Sequence, residues 1–84
     1  MDKYVVMCRS LSYAQRGQRL LAGNNIAAYI IKAPQSVSLE GCSYGLRIKA
    51  ANVDKAVIIL KSAGIKVGKI FRVDAGGIFS EVSL

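Results

Sequence analysis

Apolar and polar positions along the chain fall into alternating strand and helix patterns. Residues 3–9 alternate imperfectly and are rich in Val, which predicts a strand with Tyr4, Val6 and Cys8 on one face and Val5 and Met7 on the other. Tyr13, Ala14, Gly17, Leu20 and Leu21 then lie on one helical stripe. Ser12 with Gln15 three residues on has the form of a capping box, Ser10 is a competing cap, and Gly23-Asn24-Asn25 closes the helix near Ala22. Residues 26–32 form a continuous apolar run between turn residues and read as a second strand. Residues 46–50 alternate cleanly and predict a half-buried third strand, with Leu46 and Ile48 inward and Arg47 and Lys49 outward. Asn52 can cap a second helix in which Val53, Ala56, Val57, Leu60 and Ala63 recur at helical spacing before Gly64. Residues 67–73 supply a fourth strand.

The resulting order is βαββαβ, which predicts an α+β, ferredoxin-like two-layer sandwich with an antiparallel sheet in the order 4-1-3-2 and both helices on one face. Residues 1–74 make up this domain, and residues 75–84 form a C-terminal tail. The tail is too apolar for full solvation, with Ile78, Phe79 and Val82 after Gly76-Gly77, and too short for an independent element. It is expected to pack on a sheet edge or a second subunit, with disorder as the close alternative.

Composition narrows the function. The chain has 84 residues, 12 Lys and Arg against 5 Asp and Glu, and a formal charge of +7. It contains no His, so Ser-His and Cys-His dyads and imidazole metal sites are excluded. Asp2, Glu40, Asp54, Asp74 and Glu81 are scattered, which argues against a paired-carboxylate or Mg²⁺ site. The two cysteines, Cys8 and Cys42, lie outside any CxxC motif and are too few for a structural zinc site; no metal and no cofactor is expected. The apolar run at residues 4–8 is too short for a signal sequence or a membrane span, so the expectation is a cytoplasmic protein with reduced thiols. The cations are spread along the chain rather than blocked, which suits solvated faces first and attraction to an anionic partner second.

The segment with most chemical content is the long loop of residues 33–45, which holds the only proline, Pro34. Cys42 stands at its centre between Gly41 and Ser43, and the loop ends at Tyr44-Gly45. In the predicted sheet the end of the first strand, with Cys8 and Arg9, lies beside the start of the third, just after Cys42. The first helix begins at the same end, and its N-terminus carries about half an elementary positive charge. That field and Arg9 favour thiolate over thiol at Cys42, relative to an unperturbed pKa of about 8.5. Gly41 and Gly45 would let backbone amides approach the sulfur. Cys8 shares a face with Tyr4 and Val6 and reads first as a core residue, with a resolving or regulatory second thiol as the minor alternative.

Arg9-Ser10 followed by Tyr13-Ala14, Leu20-Leu21, Pro34 with Ser36 and Ser38, and above all Gly41-Cys42-Ser43-Tyr44-Gly45-Leu46 resemble the Putative Se/S carrier protein-like family, a bacterial and archaeal domain family. The resemblance covers residues 3 to 73. It implies that Cys42 takes sulfur or selenium from a donor such as a cysteine desulfurase, holds it as a persulfide-type adduct and yields it to an acceptor. Ser43 and Tyr44 would be hydrogen-bond donors beside it, although the Tyr44 ring reads first as packing against the sheet end. Such a carrier needs no catalytic machinery of its own, so no enzyme activity is expected.

Two other readings bear on partners. A nucleic-acid-binding module is suggested by the fold, but the charged outward positions of the third strand and the lack of an RNA-recognition motif disfavour nucleic acid as a partner. A homodimeric regulatory or assembly domain would hide an apolar face containing Val5, Met7, Ile30 or Phe71 against a twin. No membrane partner is expected.

Overall fold

Side-chain parity in the first strand sets the architecture. In a computed structural model, which describes residues 3–8, 10–32 and 44–82, Val6 and Cys8 point into one apolar cluster and Val5 and Met7 into another on the opposite face. The elements run β1 (Lys3–Cys8), α1 (Leu11–Ala22), β2 (Ala28–Lys32), β3 (Tyr44–Lys49), a 3-10 turn (Ala50–Asn52), α2 (Val53–Ser62), β4 (Val67–Val73) and β5 (Phe79–Val82). The class is α+β. The five strands among the described residues form one antiparallel sheet in the order β2-β3-β1-β4-β5, so β1 lies in the middle. The predicted four-strand order lacked β5, which extends the sheet beyond β4.

Both helices bury their stripes on the Val6 and Cys8 face. Ala14 and Leu21 of α1 and Val53, Ala56, Val57 and Leu60 of α2 close over Leu46, Ile48 and Ile70. Gly17 lies on the same stripe, where a Cβ would come within 2.9 Å of Leu46 Cδ1 and 3.1 Å of Leu60 Cδ2. The missing side chain therefore sets how closely α1 approaches the sheet and α2. Gln18 fastens the helix to the sheet by donating Nε2–H to the Ala28 carbonyl at 2.9 Å.

Helix ends depart from the sequence reading in three places. Ser10, not Ser12, caps α1: its backbone is extended and its Oγ accepts from the Tyr13 N–H at 3.4 Å. After α1 the left-handed residue is Asn25, with φ 62°, while Gly23 stays right-handed. Asn24 helps close that end by donating Nδ2–H to the Leu20 carbonyl at 2.9 Å. Asn52 precedes α2 but makes no side-chain cap bond, because the 3-10 turn already leads the backbone into the helix. Gly64, with φ 79°, ends α2 as its position implied.

One extra residue interrupts β4. The register passes from Val6 opposite Ile70 to Cys8 opposite Val67, so β4 advances three residues while β1 advances two. This bulge lets Val67 and Ile70 both pack against the helix-side cluster, which an unbroken strand would forbid at a spacing of three. Gly68 occupies the bulge, where a Cβ would stand 3.0 Å from the Met7 carbonyl oxygen.

After Val73 the chain turns back through a loop held by Asp74. Its Oδ1 accepts from the Gly76 N–H at 2.9 Å and the Ile78 N–H at 3.0 Å, and Gly77 adopts φ 80°. Phe79 then meets Phe71 edge to face, with ring centroids 6.1 Å apart, on the face that carries no helix among the described residues, hereafter the helix-free face. Replacing Asp74 with Ala is expected to cost about 1 kcal/mol and to increase amide exchange throughout β5 more than in β1. Uniform loss of protection in both strands would show that the turn is not a separate unit.

Candidate functional site

The ends of β1, β2 and β3 meet where the cysteine loop enters the sheet. Met7 pairs with Gly45, Ile31 also pairs with Gly45, and Lys32 pairs with Tyr44. Tyr44 and Gly45 therefore enter the sheet beside the end of its middle strand, the strand that leads on to the Ser10 cap of α1. Cys42, Gly41, Ser43 and Arg9 lie outside the described residues.

Tyr44 and Gly45 are the two predicted loop residues that the structure places, and both belong to β3. Tyr44 is half-buried on the helix side, against the main cluster. Gly45 faces the other way, where a Cβ would stand 2.6 Å from Val5 Cγ1 and 3.1 Å from Met7 Sδ. It lies within β3 and its φ is not positive. Gly45 is thus a strand position where the packing of Val5 and Met7 leaves no room for a side chain.

Cys8 sits at the end of β1 with 1% of its surface exposed, among the residues covered by the helices. Its Sγ lies 3.7 Å from the Val6 carbonyl oxygen. Bulk reagents cannot reach this thiol while the fold is intact. Among the described residues there is no group of three or more His, Cys, Asp or Glu able to hold a metal ion, and no helix is long and apolar enough to cross a membrane.

The helix-free face has its own chemistry. Val5, Met7 and Phe71 are buried there, with Ile31, Val73 and Phe79 packed around them. Ile30, grouped with them in the sequence reading, instead packs on the helix side. Tyr29, Arg47, Val5, Phe71 and Glu81 form one row across all five strands. Within it the Arg47 guanidinium lies 5.3 Å from the Tyr29 ring centroid. The sequence showed Arg47 facing outward but not its stacking partner, since the register that joins β2 to β3 cannot be read from either strand alone.

The described part of the molecule is thus a two-layer α+β domain whose middle strand ends beside the entry of a cysteine-bearing loop. The chain matches the family described as Putative Se/S carrier protein-like over residues 3–72, and it belongs to that family. No curated protein and no solved structure matches it.

Two measurements test this geometry. Cys8 should resist alkylation in the folded Cys42→Ser variant and react promptly once urea unfolds it; rapid labelling in buffer would refute its burial. Gly45→Ala should lower stability by about 1–3 kcal/mol, read from the urea midpoint, because Val5 must move to admit the new methyl. An unchanged midpoint would mean that the packing there is slack.

Proposed function

We propose that this protein is a sulfur or selenium carrier that holds the chalcogen on Cys42. The observation that carries the reading is the family match, which spans residues 3–72 and includes the whole cysteine loop. The strand pairing supports it: Met7 opposite Gly45 puts the loop's return beside the end of β1 and the first turn of α1. A thiol held there would feel the positive end of α1 and Arg9, both of which favour thiolate. The fold that accompanies this reading is ferredoxin-like, with β5 added to the β4 edge.

The transfer needs only thiol chemistry. The Cys42 thiolate attacks the outer sulfur of a donor enzyme's cysteine persulfide. The donor's S–S bond breaks, its cysteine leaves as thiolate, and a new S–S bond leaves the terminal sulfur on Cys42. An acceptor nucleophile then takes that sulfur and releases the Cys42 thiolate. No electrons are gained or lost overall. Selenium carried as an S–Se adduct follows the same course. Gly41 would leave room for amides near the sulfur, and Ser43 and Tyr44 would supply donors to it. The reading gives the chain no turnover of its own and places it in the cytoplasm, where thiols stay reduced.

Incubation with a cysteine desulfurase and free cysteine, followed by intact-mass analysis, should show added sulfur that reducing agent removes. Cys42→Ser should show none, and Cys8→Ser should keep it. A wild-type chain that gains no sulfur on Cys42, while the desulfurase itself is persulfidated, overturns the proposal.

A further inference from the structure

A patch of cations lies at the opposite end of the sheet from Tyr44, where β3 begins. Lys3 and Lys49 are direct cross-strand partners, so two like charges face each other between β1 and β3. Like charges directly opposite destabilise a sheet, and an anion held between them would relieve the repulsion. Arg47 lies two residues from Lys49 on the same face, about 7 Å along the strand. Its Nε is buried and has no hydrogen-bond partner. Carboxylates do not balance these charges among the described residues. Glu81 lies three strands away from Arg47, about 14 Å at the usual strand spacing, and pairs with Lys69 at 3.4 Å. The Oδ1 of Asp74 accepts from the turn amides of Gly76 and Ile78. Asp54 belongs to the first turn of α2, in the other layer.

An aromatic surface adjoins the cations. Tyr29 is 55% exposed on the outer strand β2, and the Arg47 guanidinium covers part of its ring. A flat guanidinium on an exposed ring is a platform on which a nucleobase can stack, and the two lysines beside it suit the phosphates that flank a base. An acidic protein surface would satisfy the lysines but leave the ring without a function.

We propose that the helix-free face around Tyr29, Arg47, Lys3 and Lys49 binds single-stranded nucleic acid without strong sequence preference. The surface differs from RNA-recognition domains, which stack bases on aromatics of the two central strands. Here β1 offers Val5 and Met7 on this face, and the aromatic stands on the outer strand beside β3. The proposal does not depend on the carrier reading. Tyr44 and Lys49 are separated by the length of β3, about 17 Å, so the patch and the start of the strand can be altered separately.

The test is fluorescence anisotropy with a labelled oligouridylate on the order of ten nucleotides long, titrated at several salt concentrations. Tyr29→Ala should weaken binding about tenfold or more, and Tyr29→Phe should restore it. Lys3→Gln with Lys49→Gln should weaken binding and reduce the salt slope by about 1.4, or about 0.7 for each phosphate that is no longer neutralised. Arg19→Gln with Lys61→Gln, an equal change of charge on the helix layer, should leave the slope and the Tyr29 effect intact. Absence of binding at low salt overturns the proposal, as does equal weakening by the helix-layer pair with no effect of Tyr29→Ala. Polyglutamate binding as tightly as the oligouridylate, with the same weakening in the variants, would overturn it in favour of an acidic protein.

Discussion

The structure depends on β1 being buried on both faces. Five residues of alternating direction, Tyr4 to Cys8, meet the helix layer through Val6 and Cys8 and the opposite cluster through Val5 and Met7. The strand also pairs on both sides, with β3 and β4, so its backbone groups are satisfied by the two ladders. Gly45 and Gly68 are the clearest local consequences. Each leaves out a side chain where β1 comes too close for one, Gly45 beneath Val5 and Met7, Gly68 beside the Met7 carbonyl.

That constraint separates the molecule's two chemical regions. Where β1 ends, the chain places the α1 cap, the buried Cys8 and the return of the cysteine loop. Where β1 begins, it places Lys3 against Lys49, with Arg47 and Tyr29 one row further in. The carrier reading draws on the first region and the nucleic-acid proposal on the second.

Much of this fold was legible because its elements are strongly periodic. The stripe from Ala14 to Leu21, the inward Leu46 and Ile48 and the bounds of β4 all follow from spacing. Local competition blurred the rest. Ser10 and Ser12 present the same hydroxyl to similar amides, and only the path of the chain from β1 selects Ser10. Gly45 looked like a loop glycine because its real constraint is the approach of Val5, forty residues earlier in sequence. The strand Phe79–Val82 has only four residues, and its order comes from pairing with β4 and from the Asp74 turn rather than from its own pattern. At the candidate site, the cysteine loop was visible as a motif. The Tyr29 and Arg47 stack was not, because it exists only once β2 is aligned with β3.

The two outermost strands are unequally defended against growth of the sheet. At one margin β5 is short, carries Glu81 and is reached through a tightly tied turn. At the other, β2 has Gln18 occupying the Ala28 carbonyl and Lys32 at its far end, with exposed Tyr29 and half-buried Ile30 and Ile31 between them. Charge and brevity are what discourage an additional chain from joining a sheet by its backbone; each strand carries one charge, but β2 is one residue longer and holds its charge at the end rather than inside the strand. Self-association at high concentration would therefore begin at β2, and a lysine introduced in the middle of that strand is the change that would keep the protein dispersed.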